Sequence, residues 1–257
     1  MTSPPQRLRI AAAQTTSQPS NVAANLITHM RFIAAAQAAA VDALVFPELS
    51  LSGYEPALLR ESLLKPQDPW LLPLRACAKQ ARMSIIVGAP VASADAQRPH
   101  IGALAFFADG RHAAFLKQHL HAGEEVFATP GGDLTPHRFA IQDTAAALAI
   151  CAESMHAPHA ARAAEAGAAL YLASSLVSVG GHAAEVAQLS AHARDLGMGV
   201  LLANHGGPSG GYTCAGKSAF WAPGGELVVQ APGSGDVLVI ATREDGQWRG
   251  EVLAVPV

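Results

Sequence analysis

The chain has 257 residues, half of them hydrophobic and 14% charged, with a formal net charge of −3 at neutral pH. A chain of this length buries roughly 70–75% of its unfolded surface, and so apolar a composition excludes disorder. The balance of charge leaves no basic footprint for nucleic acid, no apolar run reaches the ~18 residues of a membrane span, and Met1 to Arg9 carries no signal-peptide apolar region. A soluble, cytoplasmic protein is expected.

Short β-type runs alternate with helical ones. Leu8 to Ala13 reads as a buried strand, Asn21 to Ala40 as a helix with Leu26, Met30, Ile33 and Gln37 at helical spacing, and Ala43 to Phe46 as a second strand. A helix is predicted over Pro73 to Arg82, with proline tolerated in its first turn. Strands are predicted at Ser84 to Val87, Ile101 to Phe107 and Ala113 to Lys117, the last two joined by the turn Asp109-Gly110. The second half repeats this texture: strand Ala145 to Ile150, helix Pro158 to Ala166, strand Ala168 to Ala173, helix His182 to Leu196, strand Gly199 to Ala203. Three more β segments, Ala219 to Trp221, Glu226 to Gln230 and Asp236 to Thr242, complete the pattern. No Pro/Gly/Ser linker divides the halves, so residues 1–257 read as one layered α/β domain with approximate internal duplication.

Two glycine-rich motifs match catalytic signatures by letter only. Gly211 to Ser218 fits the phosphate-binding pattern G-x-x-x-x-G-K-[ST], but the next residues are Ala-Phe-Trp-Ala-Pro223-Gly224-Gly225, which no helix could cross. Gly207-Pro-Ser209-Gly-Gly211 fits a nucleophile elbow, yet the last histidine, His205, precedes the serine. The histidine pairs His119/His121 and His156/His159 lack the accompanying spacing of a metal site. Neither metal nor cofactor is expected.

A constellation carries more. Glu48 comes directly after an apolar strand in Phe46-Pro47-Glu48, Lys117 ends another, and Cys151 ends a third. Strand ends of an α/β sheet gather at one edge, where ligand crevices form, and a carboxylate, an ammonium and a thiol meeting there supply a base, an oxyanion donor and a nucleophile. Scarcity sharpens the choice: the chain has four lysines, Lys65, Lys79, Lys117 and Lys217, and three cysteines, Cys77, Cys151 and Cys214. An odd, widely spaced set of cysteines suits free thiols better than a disulfide framework.

These segments, in their order and spacing, resemble the nitrilase superfamily of carbon-nitrogen hydrolases over Arg9 to Thr242. The shared pieces are Ile10-Ala-Ala-Ala-Gln14, Phe46-Pro47-Glu48 with Gly53-Tyr54, Lys117-Gln-His-Leu with Thr129-Pro130-Gly131, Cys151 with Gly167-Ala168 downstream, Asn204, and Gly216-Lys-Ser218 to Pro223-Gly-Gly225. The resemblance implies a four-layer αββα sandwich, a Glu48-Lys117-Cys151 triad and an additional glutamate, which falls on Glu124 with Glu125 as the fallback. It implies a substrate pocket involving Tyr54, Ala152 and Glu153, with the Ala152 backbone N–H as a second oxyanion donor. Chemically it implies hydrolysis of a small amide with release of ammonia, with N-carbamoyl hydrolysis or nitrile hydrolysis as alternatives within the superfamily, and assembly as a homodimer or larger homo-oligomer. A binding scaffold that kept the fold without the chemistry is the non-enzyme alternative. The chain departs from the common pattern at Ala152 and Glu153, where an aromatic residue and an aspartate are frequent, at His159, where a glutamate is frequent, and at Leu116, where a basic residue is common. The loop from Cys151 to Arg162 is one residue longer than usual.

Overall fold

A computed structural model describes residues 7–93 and 98–256, so the opening of the Met1 to Arg9 stretch lies outside the described residues. In chain order the regular elements are β1 (Leu8–Gln14), α1 (Val22–Ala38), β2 (Ala43–Val45), α2 (Leu72–Ala81), β3 (Ser84–Val91), β4 (His100–Phe106) and β5 (His112–Leu116). They continue with β6 (His137–Ile141), β7 (Thr144–Ile150), α3 (Ala152–Met155), α4 (Ala157–Glu165), β8 (Leu170–Ser175), α5 (His182–Leu196), β9 (Gly199–Asn204), β10 (Ala219–Trp221), β11 (Leu227–Gln230), β12 (Val237–Glu244) and β13 (Gln247–Ala254).

Local chemistry sets several boundaries. Asn21 Oδ1 accepts the Ala24 N–H at 3.1 Å and caps α1, and Arg82 ends α2 in the left-handed region at φ 52°. Within strands, alternation decides the facing. Ile10 and Ala12 point to one side of β1 while Ala11 and Ala13 point to the other; Ala146, Leu148 and Ile150 oppose Ala147 and Ala149 along β7.

The strands form two mixed sheets, one in the order β13-β12-β1-β2-β3-β4-β5 and one in the order β11-β10-β9-β8-β7-β6. Between them lies a core that includes Ile10, Val45, Ile86, Leu148, Leu172, Leu201 and Phe220. Helices α1 and α2 bury Phe32, Ile33 and Leu74 on the outer face of the first sheet. On the outer face of the second, α4 and α5 meet an alanine-rich layer of Ala147, Ala149, Ala160, Ala163, Ala173 and Ala193. The architecture is α/β, two mixed sheets sandwiched by helices in four layers. The abundant alanine therefore has a structural use, because small side chains let the helices lie close to the second sheet. No helix among the described residues is long and apolar enough to cross a membrane.

The two halves share one wiring. In each, three parallel strands with helical crossovers (β1-β2-β3 and β7-β8-β9) are extended by two antiparallel strands (β4-β5 and β10-β11). The carboxyl ends of β2, β5 and β7 are the positions that deliver Glu48, Lys117 and Cys151. Two hydrogen bonds tie the sheets together at that edge: Ser174 Oγ donates to Phe46 O at 2.8 Å, and His205 Nε2 donates to Glu48 O at 2.7 Å. Burial pushes the His205 ring down to about 4, which keeps it neutral for that bond.

Candidate active site

After β2 the chain folds back over β3. Leu51 N–H donates to Gly88 O at 2.9 Å, and a Cβ built on Gly88 would lie 2.2 Å from Leu49 N and 2.3 Å from Pro47 O. Only glycine permits that approach, and it is what lowers Glu48 into the interior. Lys117 continues β5 with its N–H on Ile101 O at 2.8 Å, and its side chain is fully buried. Glu124 starts a short 3-10 turn after Gly123, which takes φ 96°. Cys151 leaves β7 with its N–H on Ser174 O at 2.9 Å and turns sharply into α3 at φ 48°, ψ −107°.

These four residues meet. Lys117 Nζ donates to Glu48 Oε1 at 2.6 Å and to the Glu124 carboxylate at 2.8 Å. Glu124 also accepts from Tyr54 OH at 2.8 Å and from His121 N–H at 2.7 Å. Glu48 Oε2 is buried and, among the described residues, has no partner in hydrogen-bond geometry; the neighbouring Cys151 thiol donates instead to Leu176 O at 3.7 Å. A cavity of about 260 Å³ opens beside them, lined by Glu48, Tyr54, Glu124, Cys151, Ala152 and, across from these, Leu176 to Ser178, Glu185 and Tyr212.

The electrostatics arise from burial. Desolvation raises the Glu48 carboxyl above the ordinary range, the Lys117 charge opposes that rise, and the Glu124 charge adds to it. The Cys151 thiol is pushed well up by burial and by the Glu48 charge, against the pull of Lys117. Burial alone would lower Lys117, yet Glu48, Cys151 and Glu124 together hold it above the usual lysine range, so it stays an ammonium. Tyr54 is raised by burial and by the two carboxylates, and remains a neutral donor.

The other expected site residues divide. Tyr54 and Ala152 line the cavity, whereas Glu125 is exposed and bonds the Gly123 N–H at 2.8 Å, which leaves Glu124 as the inward acid. Glu153, expected in the substrate pocket, is instead fully buried beneath it, because two backbone donors capture its carboxylate: Gln118 N–H and, at 2.7 Å, Ile150 N–H. Its pKa rises to about 7 through burial. It pins the residue before Cys151 to the residue after Lys117. His159 faces Tyr171 OH at 2.8 Å, and His119 packs on His156 at 4.0 Å. Among the described residues no group of three or more His, Cys, Asp or Glu side chains could hold a metal ion. The two glycine-rich motifs are structural: Ser218 N–H bonds Gln14 Oε1 at 2.9 Å at the entry to β10, and Ser209 Oγ accepts the Tyr54 N–H at 2.8 Å. Sequence reasoning misses Glu185, since an acid in the first turn of a helix reads as a dipole partner rather than as a cavity wall.

The fold has close counterparts among solved structures. The C145 alanine variant of an amidase from Nesterenkonia sp. AN1 in complex with butyramide superposes with a TM-score of 0.83 at 23% identity, covering 93% of this chain and 92% of that one. A glutamate-to-glutamine variant of the same amidase, with the acetamide moiety of fluoroacetamide added covalently at its active-site cysteine, gives 0.83 at 24% identity over 93% and 90%. A double variant of that amidase with acrylamide gives 0.84 at 23% over 94% and 92%. The family model for carbon-nitrogen hydrolases matches residues 9–249. With nearly the whole chain matched and the nitrilase-type sandwich in place, this protein belongs to the carbon-nitrogen hydrolase family.

Proposed function

We propose that the protein is an amidase that releases ammonia from a small amide through a thioester on Cys151. The observation that carries this reading is the buried Lys117 Nζ, 2.6 Å from Glu48 and 2.8 Å from Glu124, beside the cavity that Cys151 lines. The similar amidase from Nesterenkonia, with adducts at its cysteine, supports the same assignment.

A free thiol titrates near about 8.5, so Cys151 needs a base. Glu48, with its raised pKa and its unengaged Oε2, takes the thiol proton as Sγ adds to the amide carbon. Lys117 and the Ala152 N–H receive the oxyanion, a class of donor whose loss typically costs about 10²–10³ in rate. The intermediate collapses, the C–N bond breaks, and Glu48 returns the proton to the departing amine. Glu48 then activates water to hydrolyse the thioester. Glu124 keeps Lys117 oriented and Tyr54 in place, which makes the four groups one network.

The test is ammonia release from a panel of small amides, N-carbamoyl compounds and nitriles by the wild type, Cys151→Ala and Cys151→Ser. Both variants should lose at least about 10³-fold of the amide activity. Wild-type rates in either variant would overturn the reading, as would an acyl adduct found by mass spectrometry on Cys77 or Cys214 instead of Cys151. Turnover confined to nitriles or N-carbamoyl compounds would move the protein to one of those branches.

A further inference from the structure

The proposed chemistry uses Glu48, Lys117, Glu124 and Cys151 and leaves one acid of the cavity wall without a task. Glu185 sits in the first turn of α5, is only 9% exposed, and lines the same cavity as Cys151. Its Oε1 lies against Ser154 Oγ, and among the described residues its Oε2 takes no hydrogen bond. Ser154 Oγ also lies 2.7 Å from Cys151 O; its single proton goes to the carboxylate, the stronger acceptor of the two, and the carbonyl keeps the Ser154 N–H at 2.8 Å. One oxygen is thus fixed from behind, and the other is left for whatever fills the cavity.

Among the described residues Glu185 is paired with no cation. The residues lining the cavity include neither Arg nor Lys; the adjacent Lys117 is already held by Glu48 and Glu124; and His121 is the basic side chain on the rim. Three carboxyls therefore face one engaged ammonium in a small pocket. A buried carboxylate without a counter-charge is unfavourable, and a ligand cation would reduce that penalty, whereas a ligand carboxylate would add to it. At about 260 Å³ the cavity is of a size for a compact ligand.

We propose that Glu185 is a specificity-determining residue that selects short amides bearing an ammonium group a few atoms from the scissile carbonyl, and turns away amides bearing a carboxylate. This rests on the amidase reading of Cys151. Selection against carboxylates disfavours N-carbamoyl amino acids as substrates of this pocket.

β-Alaninamide and butyramide are isosteric and differ by one charge, and succinamate carries the opposite charge. In the wild type, kcat/KM should rank β-alaninamide at least tenfold above butyramide, with succinamate below both. Glu185→Gln keeps the acceptor for Ser154 and should shrink the β-alaninamide to butyramide ratio at least tenfold, chiefly through KM for the cationic amide. A wild type that prefers succinamate, or a ratio unchanged in the variant, would overturn the proposal. Labelling of Cys151 by an ammonium-bearing and a sulfonate-bearing thiosulfonate, each normalised to free cysteine, reads the same preference without turnover. The cation should win at least tenfold in the wild type and lose that margin in Glu185→Gln; equal margins in both proteins would reject the role of Glu185. If no amide yields ammonia, the amidase reading fails while the labelling still decides the fate of Glu185.

Discussion

Cys151 holds a backbone conformation, φ 48° and ψ −107°, that side chains with a Cβ rarely adopt and that costs on the order of 1–3 kcal/mol. The neighbours that enforce it are specific. Its N–H is fixed by Ser174 O, its carbonyl by the Ser154 N–H, and the preceding residue by Glu153, whose carboxylate also holds the Gln118 N–H beside Lys117. On the proposed mechanism Glu153 is therefore a positioning residue, coupling Cys151 and Lys117 through the backbone. Replacing it with glutamine sets an NH₂ group against one of two buried N–H donors, and kcat should fall by on the order of 10²-fold, with KM changed less, in a protein whose far-ultraviolet circular dichroism is unaltered. A kcat within threefold of wild type would show that the two loops are held by other means. At this scale the sequence is legible where a polar residue ends an apolar strand, as at Glu48, Lys117 and Cys151. It misplaces Glu153 and is silent on Glu185, because one partner of each carboxylate comes from a segment 35 or 31 residues away, and the letters are the same whether a carboxylate faces a cavity or a backbone.

At the scale of elements, periodicity announces every strand buried along its length, and also the edge strands β5 and β11, which keep apolar runs though they are partly exposed. β6 and β13, each at the rim of its sheet, escape it: β13 is mostly exposed along its length, and β6 is only partly covered, so neither needs an apolar run. The helix predicted from Pro158 begins at Ala157, while α3, a single turn after Cys151, is too short to show a period. The contact between β3 and the Glu48 loop is equally invisible in the letters, since Gly88 looks like any strand glycine. Its importance is geometric. Gly88→Ala would drive a methyl into the Pro47–Leu49 backbone, displacing Glu48 from Lys117, and should reduce amide turnover at least 100-fold together with a lower unfolding temperature. Normal turnover in the alanine variant would mean that β3 can shift without carrying Glu48.

For the molecule as a whole, buried neutral histidines make stability depend on pH. Burial pushes His29 from 6.5 down to about 4 inside the fold, where its ring contacts Asn25 O at 2.7 Å and Ser50 Oγ at 2.9 Å and stacks on Phe46. Between about pH 6.5 and 4 the unfolded chain binds a proton here that the folded chain refuses, so the stabilisation is intact above pH 6.5 and is lost as pH falls toward 4. The stability of the wild type relative to His29→Gln should shrink by up to about 1.4 kcal/mol per pH unit across that window, measured by urea unfolding. A difference independent of pH would show that His29 titrates alike in both states.

The division of the site between the two sheets has one more consequence. The two charged members of the proposed triad, Glu48 and Lys117, follow strands of the first sheet, and the sulfur follows β7 of the second. In the proposed reaction the proton's path from thiol to carboxylate is therefore a gap between two separately built slabs, gauged by the Ser174–Phe46 and His205–Glu48 hydrogen bonds and by the thickness of the apolar filling between them. Repacking that filling far from the cavity changes the spacing of the slabs without touching a catalytic side chain, which makes the interior of the sandwich a ruler for the reaction as well as a source of stability.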